Sequence, residues 1–169
     1  RTCLVGSEMC IRDSNKTSLM DDWNYKIDAI INETLNENVT SLAGVPSWML
    51  VLLNKILEKS NKEYISEQWP NLEVYFHGGV SFKPYLNQYK SLINSESMNY
   101  YEIYNASEGF FAIQYENDSN ELLLMLDYGI FYEFISMKNY GTKDEKIIPL
   151  SEVKKDVNYA ILILSLIHI

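Results

Sequence analysis

The run Tyr104-Asn105-Ala106-Ser107-Glu108-Gly109 gathers an aromatic ring, a hydroxyl and a carboxylate in one short segment. Chemistry on a nucleotide uses those three types. A ring face stacks on a purine, a hydroxyl donates to a phosphate oxygen, and a carboxylate is the hard ligand that Mg²⁺ prefers. Tyr104, Ser107 and Glu108 are the candidates for those roles in turn. A polar turn with Glu108 in solvent uses the same residues, so the segment alone leaves both readings open. The second candidate is Phe76-His77-Gly78-Gly79-Val80-Ser81. Paired glycines after a strand let a ligand approach the backbone, with amides free to face a ring or a phosphate. A plain tight turn needs glycines too.

Other chemistries fit less well. Asn105–Gly109 half-matches a serine nucleophile elbow, but Asn stands in place of the first glycine, and the only later histidine is His168. His77 is therefore the sole credible histidine, which excludes a His-based metal cluster. A Gly-rich phosphate loop ending in Lys-Ser/Thr is absent. Glu116, Asp118 and Glu121 lie close together and read as a solvated loop.

The elements that must position these residues follow from periodicity. Met20, Trp23, Ile27, Ile30, Ile31 and Leu35 recur at helical steps over Thr17–Asn36. Asn38–Val45 reads as a short strand and turn. Pro46 suits the first turn of a helix from Ser47 to about Lys59, with Trp48, Leu52 and Ile56 on one face. Ser66–Trp69 is a short helical turn. Leu72–Phe76 is a strand ended by His77-Gly78-Gly79, and Lys83–Asn94 is a third helix. Met98–Tyr104, Phe110–Gln114, Leu122–Leu126 and Ile130–Met137 are strands. Asp127-Tyr128-Gly129 makes a tight connection, and Asn117–Glu121 and Asn139–Glu145 are polar loops. Helices lead and strands follow, which predicts an α/β fold with helices packed on a mixed sheet. Both candidate segments then sit at strand ends, where α/β sheets place their ligands.

Composition narrows the partners. The 169 residues are 47% hydrophobic and 13% aromatic, well inside the range of folded globular chains. A net charge of −9 excludes a nucleic-acid binder and an anionic membrane surface as the main partner. The longest apolar run, Tyr159–Ile169, is too short to span a bilayer. Cys3 and Cys10 form no disulfide framework, so a cytoplasmic location is expected. The five Asn-x-Ser/Thr triplets suit an Asn-rich chain without glycosylation.

Four runs together carry a resemblance. They are Gly44-Val-Pro-Ser-Trp-Met49, Val74-Tyr-Phe-His-Gly-Gly-Val-Ser-Phe82, Tyr104-Asn-Ala-Ser-Glu-Gly-Phe-Phe-Ala-Ile113 and Leu124-Met-Leu-Asp-Tyr-Gly-Ile-Phe-Tyr-Glu-Phe-Ile135. In this order and spacing the chain resembles the Gretchen Hagen auxin-responsive family, and in particular its bacterial members of marine Bacteroidetes type. The resemblance covers about Asn15 to Ile163. It implies part of an amino-terminal adenylating domain in an acid–amino acid ligase. Such an enzyme uses ATP and Mg²⁺ to adenylate a carboxylic acid, then transfers the acyl group to an amino acid amine. An acyl-CoA ligase and a non-catalytic binding module are the alternatives. By position the resemblance gives Tyr104 to the adenine, Ser107 to the α-phosphate and Glu108 to the metal. Asn105 differs from the residue plant members carry there, and Ser136 stands where the family usually has Pro. Gly78 and Gly79 resemble the adenine-flanking glycine turn, and Phe131 and Tyr132 fall where the family lines its acyl pocket.

The ends read differently from the middle. Residues 1–14 and 164–169 resemble translated sequencing-adaptor segments, so Cys3, Cys10 and His168 are expected to carry no function. Residues 15–163 are then the fragment of the adenylating domain. The family's phosphate loop would precede Asn15, its ribose motif would follow Ile163, and the mobile carboxy-terminal domain would follow that.

Overall fold

The computed structural model describes residues 2–5, 22–106, 109–117 and 119–165. Asp22 opens the first helix, α1 (Trp23–Thr34). Its carboxylate accepts from the backbone N–H of Asn24 at 2.9 Å and of Tyr25 at 3.2 Å, satisfying two amides that a helix start leaves unpaired. Ile27 and Ile31, one turn apart, are buried. Met20, expected on the same face, lies outside the described residues.

Helix α2 (Pro46–Ser60) begins on Pro46 as expected, since a first-turn proline forfeits no hydrogen bond. Its buried face is Met49, Leu52, Leu53 and Ile56. Trp48, expected on that face, is 52% exposed and meets Trp23 edge-on at 4.8 Å. The reason is phase: Met49 reaches Leu52, Leu53 and Ile56 by steps of three, four and seven, which centres the stripe one residue past Trp48. Helix α3 (Ile65–Gln68) is a single turn, and α4 (Leu86–Ile93) starts three residues later than the sequence predicts, after a turn.

Six strands, β1 (Thr2–Val5), β2 (Val39–Gly44), β3 (Val74–His77), β4 (Asn99–Ala106), β5 (Gly109–Gln114) and β6 (Leu122–Leu124), form one sheet in chain order. The pairs β1–β2, β2–β3 and β3–β4 are parallel, and the helices lie in their connections, as parallel neighbours require. Two residues join β4 to β5, a link short enough only for antiparallel neighbours, so the sheet is mixed. Strand β1 lies inside the stretch that the sequence sets apart, and its backbone pairs Leu4 with Leu42.

The chain divides into two compact units. The first holds Arg1–Tyr104 and Ala112–Leu123. Its core packs Ile27, Ile31, Leu42, Leu53, Ile56 and Trp69, among others, between helices and sheet. Trp69 is 1% exposed, and its indole N–H donates to the Thr34 carbonyl at 3.2 Å, so its burial leaves no donor unpaired. The second unit holds Asn105–Phe111 and Leu124–Ile169. There β7 (Ile130–Ser136) is flanked by β8 (Ile147–Pro149) and β9 (Tyr159–Ser165), both antiparallel to it. Phe111, Ile130, Tyr132 and Phe134 are its buried centre. Neither β8 nor β9 was expected: β8 has three residues, too few for an alternation to register, and β9 is apolar on both faces.

Candidate functional site

Parallel register fixes where the strand ends fall. Gly44 pairs with His77, and His77 pairs with Glu102. Strands β2 and β3 therefore finish level, while β4 continues for four more residues to Ala106. The Gly78-Gly79 turn leaves β3 beside that extension. A Cβ on Gly78 would fall on the Ile103 carbonyl oxygen, so the strand allows only glycine there. Gly79 has φ +79°, the left-handed region that disfavours side chains. Each glycine thus has a backbone reason to be glycine, and the turn they make brings bare backbone to the carboxyl edge of the sheet.

Tyr104 follows Ile103 and is 45% exposed. Alternation along β4 puts Tyr100, Glu102 and Tyr104 on one face. Paired residues of neighbouring strands share a face, so His77 lies on that face too. The first unit thus brings Gly78, Gly79 and Tyr104 to one sheet edge. Asn105 is half-buried and opens the second unit. Ser107 and Glu108 lie outside the described residues. Phe131 and Tyr132 belong to the second unit and occupy opposite faces of β7: Phe131 is 60% exposed, whereas Tyr132 is buried and its hydroxyl donates to the Met125 carbonyl at 3.2 Å. Adjacent strand residues cannot line a pocket from the same side.

Beneath the helical layer of the first unit the sheet carries an aromatic cluster that sequence reading missed as a cluster. Tyr75 stacks on Tyr89 at 4.8 Å, and His77 stacks on Phe82 at 3.9 Å. The Tyr75 hydroxyl donates to the Gly44 carbonyl and the Tyr89 hydroxyl to the Pro46 carbonyl, each at 2.8 Å. These bonds clamp the turn between β2 and α2. The period-two pair Tyr75 and His77 was the available signal; their partners come from segments whose distance in the chain hides the contact. Burial pushes both hydroxyls up in pKa, and Tyr100 up to about 12. Burial also pulls His77 down to about 4, so its imidazole is neutral at physiological pH. The His77 Nδ1 has no hydrogen-bond partner.

Among the described residues no group of three or more His, Cys, Asp and Glu is placed to hold a metal ion. Glu108, the carboxylate expected to serve Mg²⁺, is outside them. The described part fits the base end of a nucleotide, with an exposed Tyr104 ring and a glycine turn on one edge. No helix among the described residues is long and apolar enough to cross a membrane.

Comparison with known proteins gives two matches in chain order. Residues 4–98 match the family model described as GH3 family N-terminal domain, and residues 123–166 match the GH3 family central domain. Residues 99–122, between the two matches, include β4 and β5. No curated protein matches the chain.

Proposed function

We propose that this chain, which belongs to the GH3 family of acyl-acid amido synthetases, carries one wall of a site that adenylates a carboxylic acid and passes the acyl group to an amino acid amine. The observation that carries the reading is the pair of ordered family matches, with the Tyr104–Gly109 segment between them. Support for its placement comes from Gly78, Gly79 and Tyr104 sharing one carboxyl edge of a largely parallel sheet, where such sheets take their ligands.

In this reading a carboxylate oxygen of the acid attacks the α-phosphorus of ATP. The bond to the leaving pyrophosphate breaks, and an acyl-adenylate forms. The amine of an amino acid then attacks the acyl carbon, the bond to AMP breaks, and the amine's proton is lost to solvent. The Tyr104 ring holds the adenine, with Gly78 and Gly79 flanking it and Asn105 among the nucleotide-binding residues. The Ser107 hydroxyl donates to the α-phosphate as charge builds there, and Glu108 is the ligand for Mg²⁺, which would neutralise phosphate charge when bound. Phe131 lies on the exposed side of β7 as an acyl-pocket residue, and Tyr132 supports it from the packed side. The reaction takes place in a cytoplasmic protein.

The test is acid-dependent ATP–pyrophosphate exchange by the longest open reading frame that contains this segment. Glu108→Ala should lower exchange by about 100-fold or more. Exchange within a few-fold of the parent would remove Glu108 from the site. Supplying amino acids or coenzyme A after adenylation separates an amido synthetase from an acyl-CoA ligase. Absence of any exchange with a broad acid panel would favour a binding module.

A further inference from the structure

The turn that joins β2 to α2 is fixed more firmly than a helix start requires. Three successive carbonyls each accept a hydrogen bond: Gly44 from the Tyr75 hydroxyl at 2.8 Å, Val45 from the Met49 N–H at 3.0 Å, and Pro46 from the Tyr89 hydroxyl at 2.8 Å. The two tyrosines come from β3 and α4 and are fully buried, so the turn is tied to both elements. Val45 stands between the two clamped carbonyls. It occupies the N-cap position of α2, with φ −72°, ψ 130° and no side-chain capping bond. Valine is among the poorest residues for that position, because it offers no oxygen to the free amides of the first turn. Its half-buried side chain has a different neighbour. A Cβ on Gly79 would stand 3.6 Å from Val45 Cγ2, and among the described residues no other atom beyond its chain neighbours comes within 4 Å. Register explains the approach: Gly44 pairs with His77, so the residues that follow the two strands leave the sheet side by side.

On the strength of the proposed adenine site, we infer that Val45 is a positioning residue for the nucleotide base, and that the Tyr75 and Tyr89 hydroxyls hold it in place. The glycine turn lies between two walls. On the β4 side the Ile103 carbonyl borders Gly78, and on the β2 side the Val45 methyl borders Gly79. The first wall is backbone within a sheet. The second is one side chain, whose place is set by the two carbonyls on either side of it and the hydroxyls that bond them. Glycine carries no side chain with which to anchor its own turn, so the path of Gly79 depends on what borders it. Removing a hydroxyl frees a carbonyl of the β2–α2 turn, lets Val45 move, and loosens the turn on which the base rests. Tyr75 and Tyr89 act only through Val45, because both are buried in the core away from the edge where Tyr104 is exposed.

The test is the ATP KM of acid-dependent ATP–pyrophosphate exchange by the longest open reading frame that contains this segment, read beside urea midpoints. Val45→Ala truncates a half-buried side chain without opening the core. It should raise the KM by roughly tenfold and leave kcat near the parent's, the signature of lost binding by a misplaced contact. Tyr75→Phe and Tyr89→Phe should each raise the KM in the same way. Joining Val45→Ala to either tyrosine variant should add little, because the hydroxyls act through Val45. Ile56→Val is the control for stability alone: it thins the buried face of α2 far from the turn, so it should lower the urea midpoint and leave the KM at the parent's value. Additive rises from Val45→Ala and a tyrosine variant would overturn the inference. So would a KM that rises in Ile56→Val as well, in step with the urea midpoint. Exchange with an unmoved KM in all three turn variants removes this inference alone, whereas no exchange by the parent removes the adenine site and this inference with it.

Discussion

Gly78 lies against the Ile103 backbone so closely that a Cβ on Gly78 would fall on the Ile103 carbonyl oxygen. The contact is backbone to backbone, between the end of β3 and the extension of β4, and neither strand can yield without losing ladder bonds. Gly79 differs. A Cβ there meets only Val45 Cγ2, at 3.6 Å, and the difficulty is its φ of +79°. Gly78→Ala should therefore destabilise by overpacking, about 1–3 kcal/mol, and displace the Tyr104 edge. Gly79→Ala should cost about 1 kcal/mol through backbone conformation alone. Urea unfolding of both variants checks the order, which equal costs would contradict.

The clamp on the β2–α2 turn gives a second prediction. The Tyr89 hydroxyl lies 2.8 Å from the Pro46 carbonyl and 3.2 Å from the Tyr75 hydroxyl, and its one proton serves the shorter bond. Tyr75 in turn donates to the Gly44 carbonyl. Tyr75→Phe keeps the 4.8 Å ring stack and strips the donor from a carbonyl at a strand end, so it should cost about 1–3 kcal/mol. Tyr89→Phe should cost as much. The double variant should cost less than the sum, because the two hydroxyls also touch one another. Denaturant unfolding of the cycle measures that coupling.

Much of this fold was legible because local patterns and tertiary demands agree. Pro46 starts α2 where a proline costs nothing, and Gly78-Gly79 ends β3 for reasons of packing and φ. The family was legible from four runs in order. Trp48 was misplaced because its spacing to Leu52 and Ile56 fits a face whose centre belongs to Met49. Strand β9 was hidden because Ala160–Leu164 within it is apolar throughout, and a run without alternation carries no face. The family resemblance names Phe131 and Tyr132 together, while a pleated strand sends neighbours to opposite sides.

His77 gives a pH dependence with a definite sign. Burial lowers its pKa from 6.5 to about 4, so between those values the unfolded chain binds a proton that the folded chain does not. Stability from this residue is complete above pH 6.5 and falls on acidification toward pH 4. The full difference is at most about 3 kcal/mol. His77→Phe keeps a ring to stack on Phe82 and removes the titration. The variant should therefore lose less stability than the parent between pH 6.5 and 4, as read by urea midpoints across that window. Parallel losses in parent and variant would show that His77 is not the titrating group.

Tyr104 separates a stacking role from a structural one. Its ring is 45% exposed at the edge that Gly78 and Gly79 share, and strand alternation directs it to the same face as Glu102. A base held on that ring needs its aromatic face and not its hydroxyl. Tyr104→Phe should then leave the ATP KM in the exchange assay within a few-fold. Tyr104→Leu should raise it by roughly 10- to 100-fold, the worth of one base–aromatic stack. Substitution at so exposed a position should barely move the unfolding midpoint of either variant, so a loss of binding cannot be traced to a loss of fold. Equal ATP affinity in Tyr104→Leu would take the adenine off this ring and leave the Tyr104–Gly109 segment as the polar turn its sequence also allows.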